Sequence, residues 1–199
     1  MTSRNEENDY ALYKSGFNVK DVTITNIIDL EDFNLNKISY TVYKQVIKQH
    51  PDEINYEMIE NIEPEGLVEF FDLLKRDREL KGAVPTHTRE ELIYLKNNLP
   101  ENIKIFQAKI NGDLAGICVL FVINKSIILN FYLAAAEEYK DTVMKNLLLH
   151  TIEWSAENSY EFYDIGTSDA NGKLLEGLFK FKKRFSAHGY LRKNFEINI

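Results

Sequence analysis

The sequence predicts an α/β (α+β) fold in which helices flank a mixed central sheet, and three observations support this class. The chain has 199 residues, of which 44% are hydrophobic, so it can bury a full core. Strand patterns at 103–110, 114–123 and 127–134 follow one another with only short turns between them, as in an antiparallel meander. A long helical pattern at 138–157 then precedes a strand at 161–166, and such a crossover makes the two strands that it joins parallel.

The elements before the meander are predicted from periodicity and capping signals. Thr88 and Glu91 have the spacing of a capping box, so a helix is expected to begin after Thr88. Asn111-Gly112 is typical of a two-residue hairpin turn, because both positions tolerate positive φ. The remaining predicted elements are strands at 17–30 and 54–60 and helices at 36–49 and 67–80.

The end of the chain points to a ligand site. A helix is predicted at 173–185 and a last strand at 189–199. The two parallel strands end in small residues, at 134–136 and 166–168. Ligands in such sheets bind beyond the carboxyl ends of strands where the strand order changes, so we expect a ligand at these two ends.

The composition and the first residues of the chain allow a prediction of where in the cell the protein is found. The single cysteine, Cys118, rules out a disulfide within the chain, and the polar start MTSRNEENDY resembles neither a signal peptide nor a transit peptide. No apolar run approaches the roughly 20 residues that span a bilayer. We therefore expect a cytoplasmic protein without a membrane span.

The charge distribution restricts the partners. Residues 171–195 carry seven Lys and Arg against one acid, a net charge of +6. Because the whole chain has a net charge of -7, the other residues together carry -13. Nucleic acid binding depends on many cation–phosphate contacts, so this acidic body disfavours it, and tRNA is kept only as a minor alternative. The four histidines show no metal-ligand spacing, so no metal is expected.

The most unusual segment is residues 176–185, EGLFKFKKRF. On a helix, Leu174, Leu178, Phe181 and Phe185 would form one apolar stripe, and the other charged residues would face solvent. Lys182 would lie at the margin of the stripe. Its ammonium would either reach solvent along the apolar surface or point into a cleft, and the sequence leaves both alternatives open.

The stretch FYDIGTS (162–168), followed by EGLFKFKKRF, resembles the C-terminal half of FemABX-like acyltransferases, including an acetyltransferase-like branch found beside bacterial polysaccharide genes. The helix start PTHTREEL (85–92) and the hairpin NGDLAG (111–116) are similar to that branch as well. The resemblance covers 55–199 well and 10–54 weakly. It implies a GNAT-like acyl-CoA N-acyltransferase fold.

The resemblance also implies a domain organisation. Family members usually carry two such domains in tandem. Residues 61–199 would be one GNAT/FemABX-like domain, and residues 1–60 a partial N-terminal segment, the remnant of a first acyltransferase-like domain. A boundary at 61–66 fits the proline and the glycine there. The segment 38–50 departs from relatives, which carry an arginine-rich helix at this point.

The resemblance implies that Phe181 and Lys182 lie beside the acyl donor and that Lys182 polarises the carbonyl of the donor. A fixed cation near a developing oxyanion stabilises it in a dry site. Asp164 could orient an amine or accept a proton, or it could simply be hydrogen-bonded to loop amides. Tyr132 could protonate a leaving thiolate, or it could pack in the core. The predicted donor-binding residues, besides Phe181, are Ala135, Gly166, Thr167 and Ser168.

The donor itself stays open. The turn before the long helix reads AAAEEYKD, without the glycines that hold a pyrophosphate in acetyl-CoA-dependent GNAT enzymes, and Glu137 and Glu138 would repel one. FemABX-like proteins lack this cradle too. The cofactor is therefore expected to be acetyl-CoA or another acyl donor.

Two functions follow from this sequence. The first is an N-acyltransferase that moves an acetyl or aminoacyl group to an amine of a sugar, an amino acid or a cell-wall precursor. The second is a non-catalytic acyltransferase-like domain that binds a ligand or a protein. The expected partners are thus a small-molecule acyl donor and an amine acceptor, and a homodimer is compatible with the sequence.

Overall fold

The computed structural model describes residues 6–46, 54–63 and 67–197. The strands are β1 (Asn18–Asp29), β2 (Ile54–Ile59), β3 (Ile103–Ile110), β4 (Asp113–Val122), β5 (Ile127–Ala135), β6 (Phe162–Thr167), β7 (Asp169–Ala170), β8 (Lys173–Leu174) and β9 (His188–Glu196). The α-helices are α1 (Glu6–Lys14), α2 (Tyr40–Val46), α3 (Val68–Leu80), α4 (Arg89–Asn98), α5 (Lys140–Glu157) and α6 (Glu176–Lys183).

One seven-stranded sheet forms the centre of the fold, in the order β2-β3-β4-β5-β6-β1-β9. Its neighbouring strands are antiparallel except for β5 and β6, which are parallel and are connected through α5. The predicted mixed sheet, the antiparallel meander and the parallel crossover are all confirmed.

Helices cover the two faces of this sheet and bury two hydrophobic cores. On one face, α5 and α2 pack over a core that includes Phe106 and Leu147. On the other face, α3 and α4 pack over a core that includes Ile105 and Leu74. Ile105 and Phe106 are consecutive residues of β3, and they serve different cores because side chains alternate along a strand. Within the described ranges no helix is long and apolar enough to cross a bilayer.

Two local signals act as predicted. The Thr88 hydroxyl accepts from the Glu91 amide at 3.1 Å, and the Glu91 carboxylate accepts from the Thr88 amide at 2.8 Å, so the capping box that begins α4 is complete. Asn111 and Gly112 have φ angles of 53° and 91°, which is the pair of positive values that the β3–β4 turn requires.

The helix predicted at 173–185 is wrong in its first part, because α6 begins only at Glu176. The preceding residues instead form the small β7–β8 hairpin, in which Asp169 pairs with Leu174. Its turn residues, Asn171 and Gly172, have φ angles of 50° and 70°. An asparagine followed by a glycine favours such a turn over a helical one.

The predicted apolar stripe of α6 is also wrong in its first part. Leu174 and Leu178 remain 49% and 39% exposed, whereas Lys182 is only 4% exposed and is the buried residue of the helix. Leu174 lies in the hairpin and so leaves the helical register, while Leu178 borders an open cleft. Phe185, the last member of the predicted stripe, is fully buried.

Some predicted boundaries shift by a few residues. The helix expected at 138–157 begins at Lys140, after a short 3-10 turn at Glu137–Tyr139. The helix expected at 36–49 is observed as α2, and residues 47–49 lie outside the described residues, as do residues 64–66 of the predicted boundary at 61–66. A helix that the sequence pattern did not predict, α1, begins at Glu6.

The first two strands belong to the same sheet as the rest. β1 lies between β6 and β9, and β2 pairs with β3 along six residues from Ile54 to Ile59. That residues 1–60 are the remnant of a first domain stays a prediction about their origin.

We expect Gly116→Ala to destabilise the fold, because the α carbon of Gly116 in β4 lies close against side chains of α5. An added Cβ would lie 2.4 Å from Cγ1 of Val143, a side chain that is fully buried. Overpacking of this kind costs roughly 1–3 kcal/mol of the free energy of unfolding, which urea denaturation would measure.

Gly177→Ala is the matched control for this change. A Cβ at Gly177 has no neighbour within 4 Å, and the residue lies inside α6, so alanine is expected to be neutral or to stabilise by about 0.5–1 kcal/mol. Equal effects of the two alanines would contradict the steric explanation. The double variant Gly116→Ala/Val143→Ala should recover part of the loss.

Candidate functional site

The site begins where β5 and β6 stop pairing. Their parallel pairing covers three residue pairs and ends at Leu129 and Asp164, although β5 continues to Ala135 and β6 to Thr167. On its other side, β5 contains a bulge, since Val119 pairs with Tyr132 while Leu120 pairs with Asn130. Phe131 is the extra residue. Because a bulge bends its strand, β5 stays paired with β4 beyond this point while it diverges from β6.

The divergence of the two strands opens a cleft of about 800 Å³, a size suited to a small-molecule ligand. Its wall is apolar where β5, β6 and α6 contribute Leu129, Ile165 and Phe181. Seven cations line it, from α3, α5, α6, the residues that follow α3 and α6, and β9: Arg78, Lys81, Lys140, Lys145, Lys182, Arg184 and Arg192. Among the described residues that line it, Asp141 is the single carboxylate.

Lys182 points inward from the last turn of α6. Its Nζ donates to the carbonyl oxygens of Gly166 at 2.9 Å and Thr167 at 2.6 Å, at the carboxyl end of β6. An ammonium group has three N–H bonds, and no further acceptor is found among the described residues, so one N–H is left for a ligand. Of the two alternatives for this lysine, the structure has the ammonium at the cleft.

Burial lowers the pKa of Lys182 to about 8, although the carboxylates of Asp164 and Asp169 oppose this effect. The charged form is costly in a site with so little water, and the two carbonyls only partly replace the lost hydration. Lys182 therefore gives up its proton more readily than an exposed lysine does.

Asp164 accepts three hydrogen bonds from protein groups. Its Oδ1 accepts from the Thr25 hydroxyl at 2.5 Å and from the Gly166 amide at 2.7 Å. Its Oδ2 accepts from the guanidinium of Arg192, which reaches across from β9. This geometry matches the alternative of a hydrogen-bonded carboxylate, and it holds Arg192 at the edge of the cleft.

Tyr132 lies away from Lys182, in the core between the sheet and α3. The hydroxyl accepts from the backbone N–H of His87 at 3.1 Å and lies 3.1 Å from Nδ1 of the same residue. The bulge at Phe131 explains this position, because it shifts the alternation of side chains along β5. The Arg78 guanidinium stacks over the Tyr132 ring at 5.5 Å, so the tyrosine supports a cation of the cleft.

The predicted donor-binding residues divide into two groups. Phe181, Gly166 and Thr167 line the cleft. Ser168 is fully buried, and its hydroxyl donates to Oδ1 of Asn26 at 2.5 Å, while Ala135 is 6% exposed and packs in the core beneath α5. The structure thus brings the first three together with Lys182 and leaves Ser168 and Ala135 apart.

Sequence reasoning missed the cations of α3 and α5. Lys81 forms two contacts with the buried carboxylate of Asp77, at 2.8 and 2.7 Å, and Arg78 lies 3.8 Å from it. Nε of Arg78 is buried and has no hydrogen-bond partner in the described part of the chain. The mixed charges of this segment, KRDRELK, are typical of a solvated helix, so the pattern by itself gives little sign of a site.

Comparison with known proteins identifies the fold. No family model and no curated protein matches the chain. Among solved structures, FemX is similar over 98% of this chain and 69% of its own, with 16% identity and a TM-score of 0.73. The C-terminal domain of an Agrobacterium fabrum protein assigned as a lysylphosphatidylglycerol synthetase matches over 95% of this chain and 64% of its own, with 12% identity and a TM-score of 0.68.

A tandem GNAT protein from the clavulanic acid biosynthesis pathway is also similar, over 98% of this chain and 60% of its own, with 13% identity and a TM-score of 0.58. The chain therefore spans about two thirds of the length of these proteins. It has the FemABX/GNAT-like acyltransferase fold that the sequence resemblance implied.

Burial of Lys182 makes a prediction about pH. Lys182→Met removes a group whose pKa is about 8 in the folded chain and near the ordinary 10.5 in the unfolded chain. Between these pH values the unfolded chain binds the extra proton, so the wild-type protein gains stability relative to the variant as the pH rises. The gain is on the order of 3 kcal/mol, and urea unfolding of both proteins at about pH 7 and about pH 10 would measure it.

Lys180→Met serves as the control, because Lys180 lies on the exposed side of the same helix. The difference in unfolding free energy between Lys180→Met and the wild-type protein should change little between about pH 7 and about pH 10. If the two variants respond to pH alike, the ammonium of Lys182 is not held in a dry environment.

Proposed function

We propose that this chain transfers an acyl or aminoacyl group from a phosphate-bearing donor to an amine, in the cleft between β5 and β6. The observation that carries the proposal is the charge of the cleft, which seven cations line in a chain of net charge -7. Cations still outnumber carboxylates by seven to four when Asp141 and the partners of Lys81, Lys140 and Arg192 in ion pairs are counted. Such a site is suited to an anionic ligand. Acyl-CoA and aminoacyl-tRNA both present an activated carbonyl together with phosphates.

Lys182 has the position of an oxyanion donor. In the proposed reaction, the lone pair of the amine attacks the carbonyl carbon of the donor, and negative charge develops on the carbonyl oxygen. The remaining N–H of Lys182 would donate to that oxygen, and a fixed charge in a dry site stabilises it strongly. As the bond to the leaving thiolate or alkoxide breaks, the amine loses a proton and the leaving group takes one up.

The other predicted catalytic residues would act through the cations. Asp164 positions Arg192 and Tyr132 supports Arg78, and each of these arginines would face the phosphates of the donor. The proposed acceptor is an amine of a sugar, an amino acid or a cell-wall precursor, as the resemblance implies.

A second candidate, a binding domain without catalysis, is favoured by one observation. Of the three residues predicted to be catalytic, only Lys182 lines the cleft. Asp164 accepts three hydrogen bonds from protein groups, and Tyr132 is bound to His87. A cleft that binds the donor but transfers nothing would identify this function.

A transfer assay with labelled acetyl-CoA or labelled aminoacyl-tRNA, and a panel of amino sugars, amino acids and cell-wall precursor peptides, tests the proposal. We expect Lys182→Met to lower kcat roughly 10²–10³-fold with little change in the KM of the donor, because it removes an oxyanion donor. Arg78→Gln, which leaves Lys81 paired with the buried Asp77, should instead raise the KM of the donor and leave kcat nearly unchanged.

Lys75→Gln is the matched control, since Lys75 is an exposed cation of the same helix that lies outside the cleft. Calorimetric titration of each donor separates binding from transfer. Donor binding without turnover would select the binding domain. Turnover that Lys182→Met leaves intact would exclude the assigned role of this lysine.

A further inference from the structure

Two backbone carbonyls hold the ammonium of Lys182, and the first of them belongs to a bulge in β6. The register between β1 and β6 shifts at this point, so that Asn26 of β1 lies opposite two residues of β6, Ile165 and Gly166. Gly166 has a φ of 81°, which suits the kind of bulge that needs a glycine. Its carbonyl accepts from Nζ of Lys182, so the conformation of the bulge determines where one of the two acceptors lies.

A hydroxyl of β1 helps to hold this bulge. The Thr25 hydroxyl and the Gly166 amide both donate to Oδ1 of Asp164, at 2.5 and 2.7 Å, and Thr25 and Asp164 are buried. Through the carboxylate, β1 therefore fixes the amide of the same residue whose carbonyl binds the lysine.

The second carbonyl, that of Thr167, is directed by the residue that follows it. The Thr167 carbonyl and the Ser168 N–H belong to one planar peptide unit, and in a trans peptide these two groups point in opposite directions. The Ser168 N–H donates to the carbonyl of Ile24 in β1 at 2.8 Å. The Thr167 carbonyl consequently points away from β1, where it accepts from Nζ of Lys182 at 2.6 Å.

The side chain of Asn26 holds Ser168 in this position. Both residues are fully buried, and the Ser168 hydroxyl donates to Oδ1 of Asn26 at 2.5 Å. Nδ2 of Asn26 is buried as well and has no hydrogen-bond partner among the described residues. An unpaired buried N–H group costs free energy that an apolar residue would avoid. An asparagine that carries this cost agrees with a role beyond packing.

We propose that Asn26 and Ser168 are positioning residues for Lys182. Their hydrogen bond fixes the peptide units whose carbonyls bind the ammonium, and these carbonyls determine where its remaining N–H points. The inference rests on the proposed function, in which that N–H donates to the carbonyl oxygen of the acyl donor. Neither Asn26 nor Ser168 lines the cleft, so both act through the lysine and not on the substrate. β1, which lies within residues 1–60, thereby takes part in the site.

The transfer assay tests this role through the division between kcat and KM. Ser168→Ala should lower kcat about tenfold, because a misdirected ammonium stabilises the oxyanion less, and should leave the KM of the donor within about twofold. Asn26→Ala should have the same effect. Since the two side chains share one hydrogen bond, the double variant should lose no more activity than either single variant.

The ionisation of Lys182 supplies a measurement that does not depend on transfer. Trace labelling of the folded protein with acetic anhydride between about pH 6 and about pH 10, read at Lys182 by mass spectrometry, measures the pKa of its amine, because only the neutral amine reacts. The wild-type pKa should be about 8. Ser168→Ala and Asn26→Ala should each lower it further, by roughly 0.5 or more, because displaced carbonyls favour the charged form less.

Ser155→Ala is the matched control. Ser155 is also fully buried, and its hydroxyl donates to the Thr151 carbonyl at 2.7 Å within α5, outside the cleft. This variant loses a comparable hydrogen bond, so a loss of stability alone would affect it in the same way. We expect its kcat, its KM and the pKa of Lys182 to remain those of the wild-type protein.

Two results would overturn the positioning role. One is a wild-type pKa of Lys182 in both Ser168→Ala and Asn26→Ala, and the other is an equal change of this pKa in Ser155→Ala. A wild-type protein that transfers nothing would instead refute the proposed function, and the pKa comparison would still decide whether the two residues position the lysine.

Discussion

The candidate site depends on the early end of pairing between β5 and β6. Two parallel strands that stop pairing midway leave unpaired backbone at their carboxyl ends, and these polar groups need partners. Lys182 supplies one, since its ammonium binds the carbonyls of Gly166 and Thr167. The bulge at Phe131 keeps β5 on the line of β4, so the two strands stay apart. The same divergence both creates the cleft and requires a cation inside it.

The positive charge of the cleft is held in place by buried acids. Asp77 is 4% exposed and binds Lys81, and Asp164 is 3% exposed and binds Arg192. A buried carboxylate needs a cation for its own stability, and each of these draws a long side chain toward the cleft. The acids thereby reduce the entropy that the cations would lose when an anionic ligand binds.

Exposed leucines and the buried Lys182 belong to one short segment. From the hairpin turn at Asn171 to Phe185, the chain exposes leucines outward and buries Lys182 inward. In an ordinary amphipathic helix the apolar residues are buried and the lysine is exposed. At these positions the segment departs from that pattern, while Phe185 stays buried, and the buried lysine agrees with a ligand site at its ammonium.

Much of the fold could be predicted from local pattern. The meander, the crossover and the capping box of Thr88 rest on residues close in sequence, and the physics that decides them is local: side-chain alternation, turn conformation and satisfaction of the first helical amides. For Lys182 the sequence left two positions open, in solvent or in a cleft, because a residue at the margin of an apolar helical stripe can point to either side.

The sequence by itself determined the order and type of most elements, the acidic body and the basic end of the chain. Only the tertiary structure decided which cations share a cleft, because Arg78, Lys140 and Arg192 come from three elements that are distant in sequence. It also decided that Tyr132 faces the α3 core, since one bulge residue shifts all that follows to the other face. Alternation along a strand is a local rule, but where it is interrupted depends on the neighbouring strand.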